Sequence, residues 1–281
     1  MAAGTSSRFV PLSLEKPKGL LEVKGEVLIE RQIRQLKEAG VEDVTIVTGY
    51  KAHSFEYLRD KYGVGLVHNE DYARYNNTSS IIRVIERLSD TYICCSDHHF
   101  GRNVFMDATD ESYYAARYAE GLTGEYCLET DDNNYIKKVT IGGHDAWYMA
   151  GHVYFTDSFS RKFRKIMRKE YGKESVRKGY WEDVYIQFIN DLPMKEKRYA
   201  DSDIFEFDTL DELREFDNSY VADTRSGILK EICSRMSWKE SDVNHFIKRL
   251  FEDNKAEFTL DYQGVPYLVK WTPDHTKIDR Q

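Results

Sequence analysis

The chain opens on Ala2-Ala3-Gly4-Thr5-Ser6-Ser7-Arg8, a run of small residues that ends in a guanidinium. A small-residue loop at a chain reversal can aim several backbone N–H groups at one anion, and glycine lets the backbone approach phosphate oxygens closely. Arg8 adds a planar fork of donors. Lys18, behind Pro17 in Glu15-Lys16-Pro17-Lys18, adds a compact positive charge on a restricted backbone. Together they could neutralise a triphosphate. Three acids stand where such chemistry could use them. Asp97 follows the apolar segment Tyr92-Ile93-Cys94-Cys95, and Glu182-Asp183 follow Tyr180-Trp181 at what reads as a helix start, where carboxylates are favoured whatever their task. His98 and His99 adjoin Asp97. Neighbours in sequence rarely converge on one ion, and no other His or Cys has zinc-type spacing, so a transition-metal centre is not expected.

The elements that would hold these residues follow from hydrophobic periodicity. Leu28, Ile29, Ile33 and Leu36 fall at helical spacing and Gly40 supplies a left-handed stop, which predicts a helix over 28–39. Val44 to Gly49 is rich in β-branched residues and predicts a short buried strand. The order repeats: helix 55–61, strand 65–68, helix 79–88, strand 92–95. Such alternation with short connections predicts an α/β fold with a mostly parallel sheet covered by helices on both faces, and it places Asp97 beyond a strand's carboxyl end, where ligands of open α/β sheets gather. Strand candidates follow at 113–118, 125–128, 136–141 and 146–155, then helices at 157–171 and 182–190, a strand at 204–207 and a helix at 210–216. The main domain is expected to span 1–217. Residues 218–281 form a separate small α+β appendage with helices at 228–236 and 240–251 and strands at 256–261 and 265–271. A helical hairpin or a dimerisation element, giving a homodimer, is the expectation for that tail.

Of the 281 residues, 41% are hydrophobic, enough for a sizeable core. No apolar run is long enough to span a bilayer and the amino terminus has no signal-peptide pattern, so a cytoplasmic protein without a membrane span is expected. The net charge of −8 argues against a nucleic-acid partner, which would demand a surplus of Lys and Arg. Cys94, Cys95, Cys127 and Cys233 show no CxxC spacing and are expected to stay reduced.

The ordered set of loop, Arg8, Pro11 and Pro17-Lys18 resembles the signature A-A-G-x-G-x-R-x-x-P followed by P-K of the sugar-phosphate nucleotidyltransferase superfamily. Within it the chain resembles the bacterial CTP:phosphocholine cytidylyltransferases, through Tyr57-Leu58-Arg59-Asp60-Lys61-Tyr62-Gly63-Val64, Asn69 with Tyr72, Asn76-Asn77, Asp97 and Tyr180-Trp181-Glu182-Asp183. The likeness runs from about Met1 to Asp217. It implies a Rossmann-like nucleotidyltransferase fold and transfer of CMP from CTP to a small phosphorylated acceptor with release of pyrophosphate. Arg8 and Lys18 would be the catalytic cations, and Mg²⁺ would be held by Asp97 with Glu182 or Asp183. Ala2, Ala3, Gly4, Thr5, Ser6, Ser7, Asn77 and Ser79 would meet the nucleotide. Phosphocholine cannot donate N–H bonds and calls for aromatic faces and carboxylates. Glu125, Tyr126, Tyr180 and Trp181 are the candidates for that pocket, although aromatic residues are more often packing than cage walls. Phosphoethanolamine, 2-aminoethylphosphonate or a sugar phosphate would need only small pocket changes. A transferase making a nucleotide sugar and a non-catalytic nucleotide-binding protein are the rival readings.

Two departures from the pattern stand out. Ser6 replaces the second glycine, and Met1 immediately precedes Ala2, so the expectation is either that the family's first strand is missing or truncated here or that the true start lies upstream and Met1 is an internal methionine. Relatives tend to carry Asn where His98 stands. In the tail, Phe258 to Lys270 weakly resembles the start of a bacterial choline kinase lobe, without an H-x-D-x-x-x-x-N stretch; choline phosphorylation by this chain is therefore not expected.

Overall fold

The computed structural model describes residues 1–107, 109–252 and 254–281. They group into two compact units, one of Met1–Gly4 with Arg31–Phe205 and one of Thr5–Glu30 with Glu206–Gln281.

In the first unit the predicted alternation is present. Helix Leu28–Glu38 leads to Gly40, whose φ of 85° ends it, and strand Thr45–Thr48 pairs in parallel with Gly65–His68. Between them lie a 3-10 turn and helix Tyr57–Tyr62, capped by Gly63 at φ 68°. A second sheet has the order Thr91–Cys94, Ile136–Phe155, Tyr113–Thr130, Lys195–Arg198. Each of its first three strands runs antiparallel to its neighbour and its last is parallel to Tyr113–Thr130, so the parallel pattern gives way to a mixed one after Cys94. The four separate strand candidates between 113 and 155 are two long strands in one hairpin, from Tyr113 opposite Tyr154 to Thr130 opposite Ile136. The apparent breaks are bulges, where Gly121, Gly142, Asp145 and Gly151 have positive φ and the register shifts without ending the pairing.

Helices Asp157–Glu170 and Trp181–Gln187 close over this sheet. Their core joins Ile93, Tyr114, Val153, Phe155, Phe159, Phe163, Met167, Trp181 and Tyr185. Beyond it Leu36, Phe100, Val104, Phe105, Tyr113 and Tyr199 form another core. His152 is buried among Tyr113, Phe100, Phe105 and Tyr199, and burial pushes its imidazole down to about 3, so it packs there as a neutral ring.

In the second unit helix Leu210–Phe216 appears at its predicted bounds, and helix Gly227–Met236 begins one residue early. The predicted helix 240–251 is instead a short 3-10 turn followed by strand Val243–Glu252, the first of a four-stranded antiparallel meander with Lys255–Tyr262, Val265–Thr272 and His275–Arg280. Val243 and Phe246 are both buried, a three-residue spacing that mimics a helix. It arises because a register shift between Asn244 and Ile247, with His245 at φ 52°, inserts an extra residue into the strand. The tail is therefore one helix leading into a sheet rather than a helical hairpin. No described helix is long and apolar enough to cross a membrane, and none of the four cysteines is in a disulfide.

Candidate functional site

The first residues of the chain add to the strands Thr45–Thr48 and Thr91–Cys94 of the first unit. Ala2 N–H donates to the Val47 carbonyl at 2.8 Å and Ala2 bridges Thr48 in parallel, while Ser96 N–H donates to the Met1 carbonyl at 3.0 Å and the Met1 amino group donates to the Cys94 carbonyl. The start of the small-residue loop thus lies at the carboxyl ends of Thr45–Thr48 and Thr91–Cys94. Gly49 makes this approach sterically feasible: a Cβ there would stand 2.7 Å from the Ala3 carbonyl oxygen and 2.6 Å from Tyr72 Cβ. Ala2 and Ala3 are buried, and a Cβ on Gly4 would meet nothing within 4 Å, so the loop is open on that side.

The acids of this unit are held differently from one another. Gln32, buried on the inner face of its helix, donates Nε2–H bonds to the carbonyls of Cys95 and His98, both at 2.8 Å, and so clamps the turn that carries Asp97. Glu182 accepts from Tyr114 Oη at 3.1 Å and from Asn77 Nδ2 at 3.1 Å, and burial pushes its carboxyl up to about 7. Asp183 accepts from Tyr126 Oη at 3.0 Å and from the Tyr180 N–H at 2.8 Å. Among the described residues, the three-member ligand group whose donor atoms lie within 4.8 Å of one another is Cys95, Asp97 and His98. Both oxygens of each helix-opening acid serve tyrosines, Asn77 and the helix cap.

Asn77 and Ser79, expected at the nucleotide, each make hydrogen bonds within the first unit. Asn77 Oδ1 accepts from the Trp181 N–H at 2.7 Å, and buried Ser79 donates to the Asn76 carbonyl at 2.7 Å and accepts from Asn69 Nδ2 at 2.8 Å. Trp181 is 1% exposed, stacked on Tyr114 at 5.8 Å and edge-on to Phe155 and Phe163, so its ring belongs to the core and not to a cage wall. Tyr180, 47% exposed, lies edge-on to Tyr126 at 6.5 Å, and Glu125 is exposed.

The second unit carries the two cations. Thr5, Ser6 and Ser7 are half-buried, and Ser6, before the 3-10 turn Ser7–Phe9, has φ 49° and ψ 40°. The position is left-handed, which explains why a glycine pattern applies there. A side chain at such φ costs about 1–2 kcal/mol, partly offset by the entropy a glycine loses on folding. Ser6→Gly is accordingly expected to raise stability by about 0.5–1 kcal/mol, read as an upward shift in calorimetric Tm; an unchanged or lower Tm would show that the loop bears no strain. Arg8, 71% exposed, donates Nη1–H to Asp208 Oδ2 at 2.7 Å, and Lys18, 5% exposed, holds its Nζ 3.9 Å from Asp208 Oδ1 and 5.6 Å from the Phe9 ring centre. Burial raises the Asp208 carboxyl, against the pull of Arg8 and Lys18.

Residues 1–102 match the MobA-like NTP transferase domain. The chain is 30% identical to choline-phosphate cytidylyltransferase of Streptococcus pneumoniae over 77% of its own length and 95% of the relative's. It is 34% identical to 2-aminoethylphosphonate cytidylyltransferase of Lancefieldella rimae over 80% and 94%. The solved structure of the pneumococcal CTP:phosphocholine cytidylyltransferase superposes with a TM-score of 0.74, at 30% identity, over 78% of this chain and 96% of that one. The chain belongs to the bacterial choline-phosphate cytidylyltransferase family. A glucose-1-phosphate thymidylyltransferase from Bacillus anthracis, 14% identical with a TM-score of 0.62, shares the fold alone. As a cytidylyltransferase-family enzyme, the chain shows two supporting residues that sequence reasoning missed. Gln32 had a signal, because it falls on the apolar stripe of its helix beside Ile29, Ile33 and Leu36. Asp208 had none: it reads as one acid among several before a helix, and only the fold sets it against Arg8 and Lys18.

Proposed function

We propose that this chain transfers CMP from CTP to phosphocholine or a closely related small phosphorylated amino alcohol. An oxygen of the acceptor phosphate forms a bond to the α-phosphorus of CTP, the bond to the β-phosphate oxygen breaks, and pyrophosphate leaves. The observation that carries the acceptor class is the cluster of Tyr126, Tyr180 and Asp183, two aromatic rings edge-on around a carboxylate, with Tyr180 half exposed. Aromatic faces and a carboxylate suit an ammonium head, and a sugar phosphate offers no such charge. The 2-aminoethylphosphonate relative keeps a primary ammonium as the second reading.

The phosphate charge of CTP falls to Lys18 and Arg8, with Asp208 holding both cations until the nucleotide takes them. Asp97 supplies a hard oxygen donor beyond a strand end, which fits a divalent cation held through few protein carboxylates, and Mg²⁺ is our assignment. Bound there, the cation would neutralise charge developing on the transferred phosphoryl group. No protein nucleophile or strong base is required, because the acceptor phosphate is already ionised near neutral pH.

The test is pyrophosphate release from a panel of nucleotides and acceptors. CTP with phosphocholine is expected to give the highest kcat/KM, and Asp97→Ala is expected to lower it by about 10²–10³-fold. Preference for a sugar 1-phosphate with UTP or dTTP, or CTP binding without turnover, would overturn the proposal; retained turnover in Asp97→Ala would remove the metal assignment.

A further inference from the structure

The turn after Thr91–Cys94 brings together donors that a magnesium enzyme has no need of. Cys95 Sγ, an Asp97 carboxylate oxygen and a His98 ring nitrogen lie within 4.8 Å of one another. A tetrahedral zinc site with bonds of about 2.0–2.3 Å sets its donors about 3.3–3.6 Å apart, so rotations of the Cys95 and Asp97 side chains toward a fixed His98, closing the gap by about an ångström, would complete three corners. His99 takes no part: it pairs in a strand with Phe205 and lies edge-on to that ring. It is Cys95, two positions before Asp97, rather than His99 that the C-x-D-H turn brings beside Asp97 and His98.

The turn is also fixed in place. Gln32 bonds the carbonyls of Cys95 and His98, and the Ser96 N–H is bound by Met1. His98 is 2% exposed, and its ring lies so close over Gly151, at φ 86°, that a Cβ there would stand 1.8 Å from its Cε1. Ring orientation is therefore set by packing, as a preorganised ligand requires. Cys95 and Asp97 are half-buried, which leaves the fourth corner accessible to water or a phosphate oxygen, the arrangement of catalytic rather than structural zinc sites.

We propose that Cys95, Asp97 and His98 form a three-ligand site for a borderline-soft divalent cation such as Zn²⁺ or Co²⁺. The sulfur and nitrogen donors favour such ions over Mg²⁺, which takes oxygen ligands. The site shares Asp97 with the function proposed above, and occupation by a soft cation would replace the hard one there.

Cobalt titration of the metal-stripped full-length chain tests this directly. One equivalent of Co²⁺ is expected to give a near-ultraviolet thiolate-to-cobalt band with intense four-coordinate visible absorption, and Zn²⁺ is expected to bleach both. Cys95→Ser should abolish the near-ultraviolet band and weaken Zn²⁺ binding at least tenfold. His98→Asn should keep that band but lose the intense visible absorption, and Cys94→Ser should change neither. Thermal melts of each variant separate ligand loss from unfolding, and the two ligand variants act on different bands, so one misfolded variant leaves the other informative. A pale six-coordinate cobalt spectrum without a thiolate band, or a band that survives Cys95→Ser, would overturn the proposal. In that outcome Mg²⁺-supported pyrophosphate release would still stand or fall separately on Asp97→Ala.

Discussion

Trp181→Ala is expected to destabilise the fold by about 3–5 kcal/mol, the cost of deleting a large aromatic side chain from a well-packed core. The ring is held by Tyr114, Phe155 and Phe163 at centre distances of 5.8, 5.5 and 5.8 Å. The damage should reach the site as well. The Trp181 N–H bonds Asn77, and Asn77 in turn bonds Glu182, so loosening this helix start frees the acids that Tyr114 and Tyr126 hold. A denaturant series should show a lower midpoint at unchanged slope, with Trp181→Phe recovering much of the loss. An unchanged midpoint with a raised KM for the acceptor would instead make Trp181 a wall of the substrate pocket.

Lys18→Met should lower kcat/KM for CTP by about 10²–10³-fold, the range seen when one preorganised charge or donor aimed at the transition state is removed. Methionine keeps most of the apolar stem, so the substitution reports on charge rather than on a cavity. The ammonium is nearly enclosed, beside the Phe9 ring and Asp208, and a charge kept out of water acts more strongly on a phosphate than an exposed one. Arg8→Ala, at an exposed guanidinium, should therefore cost less than Lys18→Met. Lys18→Arg should not rescue, because a planar fork does not fit a slot shaped for an ammonium. Turnover retained in a folded Lys18→Met protein would remove Lys18 from phosphate binding.

Local sequence determined much of this protein. Helical spacing from Leu28 to Leu36, the stop at Gly40 and the strand runs before Gly49 and at Gly65–His68 each specify an element through short-range geometry, and the structure places those elements where they are read. Ala2 to Arg8, Lys18 and Asp97 could be singled out as candidates because phosphate chemistry, where it occurs, constrains residue type at fixed local spacing. What local reading could not supply was pairing between distant segments. Bulges broke one long hairpin into four apparent strands and gave Val243–Glu252 a helical rhythm, because register is set by the partner strand and not by the segment itself. The same reason separates the side chains. Asn77 and Trp181 stand out by their place in a motif, but the hydrogen bond between them and the stacking of Trp181 on Tyr114 join segments about 70 to 100 positions apart that no local reading brings together. Asp208 reaches Arg8 across 200 positions of sequence. Residue type and spacing state which chemistry a chain can perform; which copy of a residue performs it depends on burial and on partners that only tertiary packing assigns.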